Sequence, residues 1–137
     1  MARRRTRAAS CGETEARTRL ADAHAQLQLA ELPGDGSSAE ERKAATSCAV
    51  LAGIAATDAA CCRALGVASR SENHADAVAL LRQVEPGGGE AARQLDRLLA
   101  MKTESQYGFT PISHAKVTAA VRRAQALVDF AERTLQR

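Results

Sequence analysis

Ser38 to Gly66 reads SAEERKAATSCAVLAGIAATDAACCRALG, and this stretch decides the fold. It opens on Ser38 with Glu41 three residues on, the pattern of a capping box that starts a helix. It ends on Gly66, the residue type best suited to the left-handed position after a helix's last turn. Between them Ala44, Cys48, Leu51, Ala55, Cys62 and Leu65 recur at helical spacing, which predicts a helix over 39–65.

Four further helices follow from the same period and from the Gly and Pro breaks around it. Pro33-Gly34-Asp35-Gly36 closes a segment over about 13–32 with Leu20, Ala23, Leu27 and Ala30 on one face. Ser71 opens a segment over about 72–85 carrying Ala77, Val78, Leu81 and Val84, and Pro86-Gly87-Gly88-Gly89 closes it. A segment over about 90–107 carries Ala91, Leu95, Leu98 and Leu99, with Gly108-Phe109-Thr110-Pro111 behind it. Ser113 opens the last, over about 114–135, where Val117, Ala120, Val121, Ala124, Leu127, Val128, Ala131 and Leu135 form the cleanest stripe. Short connections between long helices make antiparallel neighbours the default. The expectation is an all-α, antiparallel up-and-down bundle of four to five helices.

Composition agrees. The 137 residues suit one domain. Alanine supplies 31 of them and only 27 are larger hydrophobics, a thin core at about 25 cal/mol per Å2 buried. Alanine is the strongest helix former and lets helices approach closely. Scarce β-branched and aromatic residues argue against a β-sandwich. No apolar run reads as the roughly 18 residues of a membrane span, so no membrane partner is expected.

The net charge of +3 comes from Arg3, Arg4, Arg5 and Arg7; the remainder holds 15 basic against 16 acidic residues. The folded part thus lacks the general basic excess of a nucleic-acid domain. Residues 1–12 read as a disordered arginine-rich arm and 13–137 as the single domain. The arm could contact phosphates or an acidic surface, and it lacks the apolar stretch of a secretory signal. Cys11, Cys48, Cys61 and Cys62 are too few for a disulfide scaffold, and neither they nor the three His make a zinc spacing. Cys48, Cys61 and Cys62 lie in one alanine-rich helical stretch, where free Cys acts as a small hydrophobe, and the setting reads as reducing and cytoplasmic, with no metal and no cofactor.

Three polar residues interrupt apolar stripes. Asp58 lies among Leu51, Ala55, Cys62 and Leu65; His74 leads Ala77, Val78 and Leu81; Lys102 follows Leu95, Leu98 and Leu99. A buried carboxylate without a donor is costly, so such groups need partners or a wet site. Tyr107, the only tyrosine, ends the helix that carries Lys102. Asp58, His74, Lys102 and Tyr107 are the candidate binding residues: an internal polar network, or a small-ligand pocket in the bundle.

The order of these residues carries a family likeness. Ala49 to Ala60 with Gly66 behind it resembles the second helix of HEPN domains, alanine-rich with a polar residue in its middle. His74 is similar to the histidine that opens the third helix in one HEPN branch. Lys102-Thr-Glu-Ser-Gln-Tyr107 is similar to that branch's Arg-x-x-Ala-Asp-Tyr signature, with Lys for Arg and Ser-Gln for Ala-Asp. The last helix, with Ala124, Leu127, Val128 and Phe130, fits as well, so the resemblance spans roughly 40–135. It implies a helical bundle, often a homodimer, in a family of RNA-cleaving toxins, nucleotidyltransferase-associated subunits and non-catalytic modules. Its ribonuclease members carry Arg-x(4–6)-His late in the domain, where the two side chains handle proton transfer and phosphate charge.

This chain departs from that motif. Arg19-Leu-Ala-Asp-Ala-His24 has the spacing but lies in the first helix, and residues five apart sit about 140° apart on a helix. Arg70 and His74 have only three residues between them, and His114 has no arginine at the right distance. The expectation is a HEPN-like interaction module without catalysis, binding itself, RNA, or a nucleotidyltransferase-type or antitoxin protein. A toxin-type, metal-independent ribonuclease acting as a dimer is the alternative, with His74 or His24 as base and Arg70 or Arg19 as phosphate clamp. The recurrent basic residue of the fourth helix also implies a fixed partner, and Asp58 is the acid expected to meet Lys102 inside the bundle.

Overall fold

The computed structural model describes residues 8–137, and for residues 104–107 the backbone alone. Five helices, α1 (Glu13–Glu31), α2 (Ala39–Leu65), α3 (His74–Leu81), α4 (Gly88–Tyr107) and α5 (His114–Leu135), make an all-α bundle. A two-stranded antiparallel ribbon, β1 (Ala8–Ser10) and β2 (Val67–Ser69), pairs Ala8 with Ser69, Ala9 with Ala68 and Ser10 with Val67.

The caps explain the boundaries. The Ser38 hydroxyl accepts from the Glu41 amide at 3.1 Å while the Glu41 carboxylate accepts from the Ser38 amide at 2.9 Å. Gly66 takes φ 72°, ending α2 where the sequence places its end. The Ser113 hydroxyl accepts from the Lys116 amide at the start of α5. The third helix is shorter than its apolar stripe suggests. Its cap is Asn73, whose Oδ1 accepts from the Ala75 amide; Ser71 holds the Asn73 amide one step earlier. Residues 82–87 leave the α-helix, so Val84 is buried from a turn.

α2 is the centre of the bundle and packs on α1, α3, α4, α5 and β2. Seven of its thirteen buried residues are alanines, which lets several neighbours approach it at once. A Cβ on Gly53 would lie 2.5 Å from Leu98 Cδ2 and 3.1 Å from Leu127 Cδ1, so α4 and α5 both close on α2 there. α2 and α5 run parallel. Arg42, near the start of α2, donates to the Ile112 carbonyl just before α5, and Arg63, in the last turn of α2, donates to the carbonyl of Arg137. In an up-and-down order of α1, α2, α4 and α5, these two lie on a diagonal that their small residues pull shut. Leu27, Val50, Leu81, Leu95, Leu98, Val128 and Phe130 fill the space around it.

α2 also qualifies the reading that no stretch is apolar enough for a span. Its best 18 residues have a mean hydropathy of 1.5, and 61% of them are buried by the rest of the fold, as in a core helix.

Two corrections concern the N-terminus. Residues 8–12 of the expected disordered arm are built into the fold, and residues 1–7 lie outside the described residues. Cys11 is not a free thiol: it is disulfide-bonded to Cys62, 51 residues away, leaving Cys48 and Cys61 as the free cysteines. Scarcity of cysteine argued against a scaffold of bridges, but one bridge needs only two residues brought together. β1 does that by pairing beside the end of α2, where the Cys11 amide donates to the Gly66 carbonyl at 2.9 Å. Such a bridge forms and persists under oxidising conditions. The premise of free cysteines behind the cytoplasmic expectation does not hold for Cys11 and Cys62.

Candidate functional site

Asp58 faces α1, not Lys102. Arg19 sits three residues after buried Ala16 and four before buried Ala23, on the side of α1 that meets α2. Its Nε and Nη2 donate to Asp58 Oδ2 at 3.0 and 2.8 Å, and its Nη1 donates to Asp22 Oδ2 at 3.0 Å. Burial pushes the Asp58 carboxyl above its ordinary range, against the opposing pull of Arg19, Arg70 and His74. Burial opposes the Arg19 charge too, but Asp58 and Asp22 outweigh it and raise the guanidinium further. The same burial, with the nearby Asp58 charge, pushes the Cys61 thiol up to about 12, which leaves it unreactive.

Lys102 turns the other way. Its Nζ lies 3.0 Å from His74 Nε2, across the contact between α4 and the start of α3. An ammonium can only donate, so Nε2 accepts and the imidazole is neutral. Burial lowers the His74 pKa first and the Lys102 charge second, while Asp58 pulls it back. No ion pair joins Asp58 to Lys102 among the described residues, and the expected partnership is replaced by Arg19–Asp58 and His74–Lys102. The side chain of Tyr107 lies outside the described residues.

The four expected site residues thus divide. Asp58 lines a cleft of about 520 Å3 between β1, β2, the first turns of α1 and the end of α2, together with Arg19, Arg70 and the disulfide. His74 and Lys102 line a shallower cleft of about 490 Å3 with Asp96 and Thr103, over α3 and α4. Sequence reasoning missed Arg19 as a partner and Arg70 as a rim residue. Arg19 was detectable, because the Ala16, Ala23, Leu27, Ala30 face runs through its position. Arg70 was not, because its place depends on the ribbon.

The Arg19 and His24 spacing match comes apart in space. Arg19 is held at Asp58 on α2, whereas His24 Nε2 lies 2.5 Å from Glu132 Oε1 on α5. No group of three or more His, Cys, Asp or Glu suited to a metal occurs among the described residues. A scan against protein-family models and a search of curated proteins gave no match.

Proposed function

We propose that this chain is a HEPN-like helical module that works by binding rather than by cleaving RNA. One observation carries the reading. The only Arg-x(4)-His pair that could serve as phosphate clamp and base is divided between two contacts on different neighbours, Asp58 on α2 and Glu132 on α5. A side chain engaged with a carboxylate of a neighbouring helix is not poised to meet a transferring phosphate. The resemblance supplies the partner classes: a second copy, a nucleotidyltransferase-type or antitoxin protein, or RNA. The near-neutral folded part favours protein over RNA.

The surface offers a place for such a partner. Leu29 on α1 and Leu51 on α2 are each 49% exposed, and half-buried Ile54 lies one turn along α2 from Leu51. Two assays test the reading together. Purified protein incubated with mixed RNA should leave it intact, and light scattering at micromolar concentration should give a dimer mass that Leu51→Glu reduces to a monomer. RNA cleavage abolished by His24→Ala or His74→Ala, with the fold kept, would establish the ribonuclease alternative instead.

A further inference from the structure

We propose that the cleft beside the disulfide binds a small zwitterion of the α-amino-acid class, its ammonium on Asp58 and its carboxylate on Arg70. The site differs from the α1/α2 partner surface above and does not depend on that reading.

Asp58 supplies the first half. Both Arg19 bonds to it land on Oδ2, and Oδ1 carries no hydrogen bond among the described residues. No buried side-chain oxygen among the described residues lacks a partner, so Oδ1 keeps exposed surface, and Asp58 lines this cleft. A carboxylate with one oxygen fixed by arginine and the other open is an oriented acceptor for an N–H donor. Arg70 supplies the second half. It is exposed, stands immediately after β2 and makes no hydrogen bond or ion pair among the described residues, yet lies close enough to Asp58 to influence its charge.

The charge count of the walls selects the ligand class. Arg19 and Arg70 balance Glu15 and Asp58, so neither a bare anion nor a bare cation gains from the cleft as a whole. A molecule carrying both charges matches it. Glu15 accepts from the Gly12 amide at 3.0 Å and is exposed, whereas Asp58, with its side chain 18% exposed, is the acid set into the wall. Ser10 and Thr14 add hydroxyls, while Ala9, Ala68 and the bridge itself give a small apolar wall. About 520 Å3 lies within the usual range for small-molecule sites. The disulfide ties the ribbon wall to the helical wall, so the site is formed before the ligand arrives and loses little affinity to ordering.

The test uses the full chain with its disulfide intact. Each free α-amino acid is screened by thermal shift and the strongest is titrated by calorimetry, alongside its amide and its N-acetyl derivative. The expected result is saturable binding by at least one amino acid, weakened at least tenfold in both derivatives, in Arg70→Ala and in Asp58→Asn. Arg70 is exposed, so the unliganded melting temperature of Arg70→Ala should stay unchanged and its loss of binding should not reflect unfolding. Amide-shift mapping should confine the response to residues 9–19 and 58–70. The proposal fails if no amino acid binds saturably, if the amide binds as well as the acid, or if Arg70→Ala binds like wild type.

Discussion

Replacing Asp58 by Ala tests whether the polar groups of the bundle are divided as described. The carboxylate accepts two hydrogen bonds from Arg19 and its side chain is 18% exposed, whereas Arg19 is 36% exposed and keeps Asp22. A fully exposed pair is worth about 0.2–1 kcal/mol, and breaking a buried pair costs about 3–5 kcal/mol. Arg19 stays half solvated and half paired, so the loss should be about 1–2 kcal/mol. For a chain of this size that lowers the melting temperature by roughly 3–8 °C. Two double-mutant cycles measured by urea unfolding make the assignment. Asp58→Ala with Arg19→Met should show a coupling of about 1 kcal/mol, because the pair is in contact. Asp58→Ala with Lys102→Met should be additive within about 0.5 kcal/mol. The reverse result, strong coupling to Lys102 and none to Arg19, would refute the separation into two pairs.

Three other outcomes follow from the same geometry. Because the His74 pKa is lowered below its ordinary 6.5, the unfolded chain takes up this proton first; stability should be full above pH 6.5 and fall as the solution is acidified toward 5, and His74→Asn should flatten that part of a melting-temperature profile. The Cys11–Cys62 bridge closes a loop with a sequence separation of 51, so its reduction should cost about 4 kcal/mol on the chain-entropy account; thiol titration of the unfolded protein should find two thiols before reduction and four after, and four from the start would deny the bridge. Gly53→Val should destabilise by about 1–3 kcal/mol through overpacking against Leu98 and Leu127, whereas Gly34→Ala, with open space around it, should leave urea unfolding unchanged.

The helices were legible because each rests on local chemistry. Ser38 with Glu41, Gly66 and Ser113 act within a few residues of themselves, and α2 and α5 begin and end where those residues place them. The ribbon was not legible. Ala8–Ser10 and Val67–Ser69 are three residues each, too short for alternation to register, and their pairing depends on α1 and α2 bringing distant segments together. The disulfide and the Arg70 rim were hidden for the same reason. Asp58, His74 and Lys102, which interrupt apolar stripes, each have a specific partner. What the stripes could not supply was the identity of that partner.

That gap has a structural cause. Placing three polar residues on three stripes assumes a common axis where they can meet, which holds only when the bundle leaves its centre open. Here α2 and α5 carry so many small residues on their facing sides that they touch across the diagonal, at Gly53 and Leu127 among other places. A closed diagonal divides the interior. Asp58 on α2 then reaches the seam toward α1, and Lys102 on α4 the seam toward α3. Asp58 and Lys102 accordingly find Arg19 and His74, each at the edge of its own cleft. The alanine content that makes the fold so readable is thus also what moves its polar chemistry from the bundle axis to its outer seams, where solvent and ligands can reach it.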